Sequence, residues 1–155
     1  MMKFFIFLAT FSISSSLYLE CSYFLHRWVI TGESYTCAGT VLSSGRANSV
    51  NEVSQNHLPG KSNIQVDALT IKNQAINFMP LNIQQFFENI RVLEMRNTTL
   101  NKLTKDDLKP FPRIEVVGFH YSRLETIDGD LFVYNLRLQH TTWVTTCSQT
   151  LDQTF

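Results

Sequence analysis

The chain has 155 residues, 44% of them apolar and 17% charged, with 13 Lys and Arg against 13 Asp and Glu. This is a globular balance rather than a disordered one, and the length allows one domain with a sizeable core. A charge-balanced chain with no run of like charge carries no footprint for nucleic acid and no basic patch for a membrane surface.

Residues 1–16 combine Lys3, an apolar run from Phe4 to Ile13, and the small residues Ser14 and Ser16. This is the layout of a secretory signal peptide. The apolar run is about half the ~20 residues a membrane span needs, so the segment is expected to be removed, leaving no span. An exported chain can hold disulfides. Cys21 and Cys37 flank a predicted hairpin and are expected to pair, which leaves Cys147 over.

Residues 17–63 are expected to form an N-terminal β-hairpin cap. Leu19–Ile30 and Tyr35–Leu42 are rich in Tyr, Phe, Val and Thr, and Thr31–Ser34 reads as the turn between them. Trp28 is expected to pack on the open edge of the segment that follows. Ser43–Ser49 reads as a loop, and Leu58-Pro-Gly-Lys61 as a tight turn.

Over residues 64–146 an apolar pattern recurs every 24 positions. Val66, Leu69, Ile71, Ile76 and Met79 are followed by Ile90, Leu93, Met95, Leu100 and Leu103, then by Ile114, Val117, Phe119, Leu124 and Ile127. The internal spacing is that of a leucine-rich repeat, in which a short strand alternates inward and outward side chains before the chain turns back into the core. A partial fourth unit begins at Leu138, and residues 147–155 read as an irregular tail. Thr104 and Asp128 are each expected to cap a short helical turn. The expected fold is therefore an α+β repeat solenoid, a short leucine-rich-repeat array of about three units and a partial fourth behind the hairpin cap. The position that usually holds asparagine carries Gln74, Thr98 and Ser122, which departs from the pattern.

The array resembles the extracellular leucine-rich repeats. More narrowly, Tyr35-Thr-Cys37, Asn56-His-Leu-Pro-Gly-Lys61, Leu103-Thr-Lys-Asp-Asp-Leu-Lys-Pro-Phe-Pro112 and Ile127-Asp-Gly-Asp-Leu-Phe132 resemble secreted insect proteins of that type. The resemblance implies a secreted protein of the interaction kind.

No residues assemble into a recognisable catalytic or cofactor motif, and no enzyme activity or cofactor is expected. Asp106 with Asp107, and Asp128 with Asp130, read as helix caps rather than acid–base pairs, and His26, His57, His120 and His140 share no metal-ligand spacing. The candidate binding surface is the outward, concave side of the strands: Ala68, Thr70, Lys72, Val92, Glu94, Arg96, Val116, Gly118 and His120. Asn97-Thr-Thr99 is the sequon for N-glycosylation. Two functions fit: a secreted scaffold for recognising another protein, or the N-terminal structural piece of a longer receptor ectodomain. The unfinished fourth unit, with Cys147 behind it, suggests a homodimer through the C-terminal edge.

Overall fold

The computed structural model describes residues 17–43 and 48–145. They form nine strands: β1 (Leu17–Trp28), β2 (Gly32–Ser43), β3 (Val50–Val53), β4 (Val66–Gln74), β5 (Val92–Thr98), β6 (Lys102–Leu103), β7 (Val116–Ser122), β8 (Thr126–Ile127) and β9 (His140–Thr145). Seven of them make one sheet in the order β3-β1-β2-β4-β5-β7-β9, and β6 pairs with β8 in a second, two-stranded sheet.

This corrects the expected α+β repeat solenoid: the architecture is a mixed β-sheet. Helix among the described residues is limited to α1 (Lys105–Leu108) and two three-residue 3-10 turns, Asn63–Gln65 and Ile83–Gln85. The physical reasons lie in two places. The segments expected to supply helix are short of helix formers. Pro110 and Pro112 follow α1 closely, and Gly129 opens the segment after Asp128, where the chain makes turns instead of the expected helix. At the other end, β1 and β2 pair antiparallel along their full length, and β2 then joins β4 in parallel. The hairpin thus belongs to the sheet and makes it mixed, rather than sitting on the edge of a separate array.

The 24-residue spacing sets the register of the parallel strands. Ala68 lies opposite Val92, Val92 opposite Val116, and Val116 opposite His140. The three non-glycine residues with positive φ that end strands share this offset: Asn73, Asn97 and Tyr121. All fifteen patterned apolar residues except Leu124 and Ile127 are buried, in one cluster that also takes in Leu17, Leu19, Cys21 and Cys37 from the hairpin.

The departures at the asparagine position are filled by other bonds. Gln74 accepts from the Val41 N–H through Oε1 at 2.7 Å and donates from Nε2 to the Gly39 carbonyl at 2.7 Å, tying β4 to β2. Thr98 and Ser122 share a buried hydroxyl hydrogen bond of 3.0 Å between β5 and β7.

Cys21 and Cys37 form a disulfide with Cα atoms 5.1 Å apart. The register puts Cys21 opposite Gly39 and Cys37 opposite Tyr23, so the bond runs diagonally across the hairpin. The turn is Val29–Thr31, tighter and earlier than the sequence suggested. No helix among the described residues is long and apolar enough to cross a membrane.

Candidate functional site

One face of the seven-stranded sheet packs on the core. On the other, the register assembles rows of side chains that run across the strands. The first row is Phe24, Thr36, Ala68, Val92, Val116 and His140. The second is Ser22, Ala38, Thr70, Glu94, Gly118 and Thr142. The third holds Lys72, Arg96, His120 and Val144. All nine expected surface residues thus fall on one face. The sequence reading missed the contributions of the hairpin and of β9 to it. The signal was present in the alternation of β1 and β2, but the pairing that brings those strands alongside β4 could not be read from spacing.

The nine residues are not equally available. Ala68, Thr70, Val92 and Gly118 are buried; Glu94, Val116 and His120 are half-buried; Lys72 and Arg96 are exposed. The face is therefore a closely packed shelf with a charged row along one side. Lys72 pairs with Glu94 at 2.7 Å. The Arg96 guanidinium lies over the Tyr121 ring, 5.3 Å from its centre. His120 reaches across to Thr142, with 2.9 Å between Nε2 and Oγ1. It passes directly over Gly118, where an added Cβ would come within 2.9 Å of that nitrogen. Burial holds the His120 pKa below its ordinary value, helped by Arg96 and Lys72 and opposed by Glu94.

A charge ladder borders the first row at the positions just before it. Arg91 donates two hydrogen bonds of 2.9 Å to Glu115 and lies 3.8 Å from Asp67. The bidentate bond holds the Glu115 carboxyl below its usual pKa, whereas burial pushes that of Asp67 up.

Asn97 is exposed at the end of β5 in a left-handed conformation, and its Nδ2 donates to Asn73 Oδ1 at 2.9 Å. Near β9 a groove of about 550 Å³ is lined by Leu124, Ile127, Leu131, Phe132 and Trp143, with Glu125, Asp128 and Asp130 on its rim. The tail expected to follow, with Cys147, lies outside the described residues. Among the described residues no three His, Cys, Asp or Glu side chains converge as a metal site would require. Asp106 and Asp107 stand at the start of α1, where the Thr104 N–H and hydroxyl both donate to Asp107.

No protein-family model, curated protein or solved structure matches the chain.

Proposed function

We propose that this chain is an exported recognition module that engages another protein through the outward face of its seven-stranded sheet. The observation that carries the reading is a charged row on this face, Lys72 and Arg96, left exposed beside a closely packed centre. Thr36, Ala68 and Val92 in the first row are fully buried, so the surface a partner can reach lies along the third row. A partner gains a carboxylate contact at Arg96, whose guanidinium is already oriented by Tyr121. Export is supported by the composition of residues 1–16 and by the Cys21–Cys37 disulfide, a bond characteristic of oxidising compartments.

Reversing charge on the face tests the reading. Lys72→Glu with Arg96→Glu should abolish cross-linking to a partner in the fluid into which the protein is secreted. Lys109→Glu with Arg113→Glu, on the return segment before β7, should leave it intact. Equal loss in both pairs, or in neither, would contradict the assignment.

The same proposal places an N-glycan on Asn97. Its side chain is exposed, and after glycosylation Nδ2 keeps one hydrogen with which to hold Asn73. The sugar would stand beside Arg96 and confine a partner to the rest of the face. An amidase that removes N-glycans should lower the mass of the secreted protein; an unchanged mass would refute occupancy.

A further inference from the structure

We propose that the tip of the β1–β2 hairpin inserts into the surface of a lipid bilayer, with Val29 and Ile30 entering the acyl boundary and Trp28 at the headgroups. The hairpin outreaches the sheet that holds it. β4 begins at Val66, opposite Tyr35, and β3 pairs only with Leu17–Leu19. The last three cross-strand pairs are His26 with Ser34, Arg27 with Glu33 and Trp28 with Gly32. No further strand among the described residues lies beside them. With the turn Val29–Thr31 they make a finger about 10 Å long, at about 3.4 Å per pair.

The tip is apolar where turns are ordinarily polar. A hairpin turn favours Gly, Asn and Asp, whose backbones accept the required angles. Two other turns of this chain follow that rule, Leu58-Pro-Gly-Lys61 and Asp128-Gly-Asp130. In the hairpin, Gly32 already supplies the positive φ. Two β-branched aliphatic residues at the apex are therefore not needed for the turn, and both Val29 and Ile30 are left exposed.

The distribution of exposed apolar side chains selects lipid as the occupant. The three most exposed among the described residues are Val29 at 103%, Leu136 at 91% and Ile64 at 57%. All three stand at the end of the sheet where its parallel strands begin. Ile64 lies two residues before β4, and Leu136, three 24-residue periods later, lies just before β9. β4 and β9 are three strand spacings apart, about 14 Å. Exposed Glu88 and Arg113 lie between them. Single aliphatic side chains set apart by charges form no continuous patch for a protein, whose specific interfaces take about 20–30 residues a side. A bilayer surface requires neither shape nor continuity: it receives apolar groups to a depth of about 5–10 Å and leaves the charges among its headgroups. The finger matches that depth. Arg27 and Glu33, the first charges behind the tip, stand opposite each other, so the tip carries no net charge. Attachment is then by apolar insertion rather than by attraction to anionic lipid. Trp28 stands one pair nearer the apex than these charges, at the level where an amphipathic ring favours the interface.

Co-flotation of the secreted protein with phosphatidylcholine vesicles tests this. One inserted myristoyl chain binds with about 10⁴ M⁻¹, and so small a tip should bind at roughly millimolar lipid. Val29→Asp and Ile30→Asp, each acceptable in an exposed turn, should weaken binding at least about tenfold, the loss of one buried aliphatic side chain. Leu42→Asp, also an exposed aliphatic but at the far end of β2, should leave binding unchanged. Lys72→Glu with Arg96→Glu should leave it unchanged too, which separates the tip from the outward face. A second readout comes from Trp28, the sole tryptophan once Trp143→Phe is made. Its emission should shift to the blue with lipid, and Val29→Asp should abolish the shift. No flotation at about 10 mM lipid, well above the expected range, would overturn the proposal. So would flotation that both aspartate variants retain, or binding that requires phosphatidylserine. Loss of a protein cross-link in Val29→Asp without any binding to vesicles would make the tip a protein contact instead.

Discussion

His120 shows how one residue type at one position constrains its neighbours. Its ring can reach Thr142 only because residue 118 has no side chain; the nearest approach of a Cβ would be 2.9 Å. Burial favours the neutral ring, so the folded protein binds a proton at lower pH than the unfolded chain does. Between the folded value and the ordinary histidine value, the unfolded state holds more protons. Stability therefore falls as pH drops through that window and levels off below the folded value. His120→Gln should flatten the decline in melting temperature between about pH 7 and pH 5, the span in which histidine titrates. A variant with the same acid sensitivity as the parent would contradict this. The position of His120 on the outward face was legible in strand alternation. Its burial was not, because that depends on Gly118 and Thr142 from neighbouring positions in the sheet.

The return segments between strands are held by side chains more than by helix. Asn135 is buried in the turns before β9, and its Nδ2 donates to the carbonyls of Leu108 and Phe111, both at 3.0 Å. Asn135→Ala would take one of two donors from each carbonyl, which keep the Phe111 and Ile114 N–H bonds, and should cost about 1–3 kcal/mol in denaturant unfolding for the two lost bonds. A change within about 0.5 kcal/mol, the usual range for a surface substitution, would show that water replaces the amide. The hairpin depends on a covalent tie instead. The disulfide spans a sequence separation of 16 residues. Replacing Cys21 and Cys37 together by Ala should cost roughly 3 kcal/mol by loop-closure entropy. Peptide mapping without reductant should recover the two cysteines joined; free thiols at both would refute the pairing. The sequence named this pair, and the structure explains the apparent mismatch in register: the bond is diagonal, with Gly39 and Tyr23 directly opposite. What composition could not reveal is that the turns after Asp128 would stay non-helical. A capping residue is not sufficient where Gly129 and Asp130 follow.

Across the whole molecule, the apolar spacing read from the sequence survives as strand register and as the composition of the core, while the architecture inferred from it does not. A period of 24 states which residues lie side by side; it does not state what fills the return path or how an N-terminal hairpin joins the sheet. Here the hairpin supplies Phe24, Ser22, Thr36 and Ala38 to the same rows as β4, β5 and β7, and so enlarges the outward face. Leu124 and Ile127, the two patterned residues left half-buried, line the groove beside β9. The central claim is that the outward face meets a protein partner. Site-specific photo-cross-linking tests it most directly, with the reactive group placed in turn at Lys72, Arg96 and Tyr121, and at Lys109, Arg113 and Glu88 away from the face. The account predicts that the first three capture a common foreign protein from the medium or extract of cells that express the chain and the second three do not. Capture confined to the second three, or indifferent to position, would contradict it.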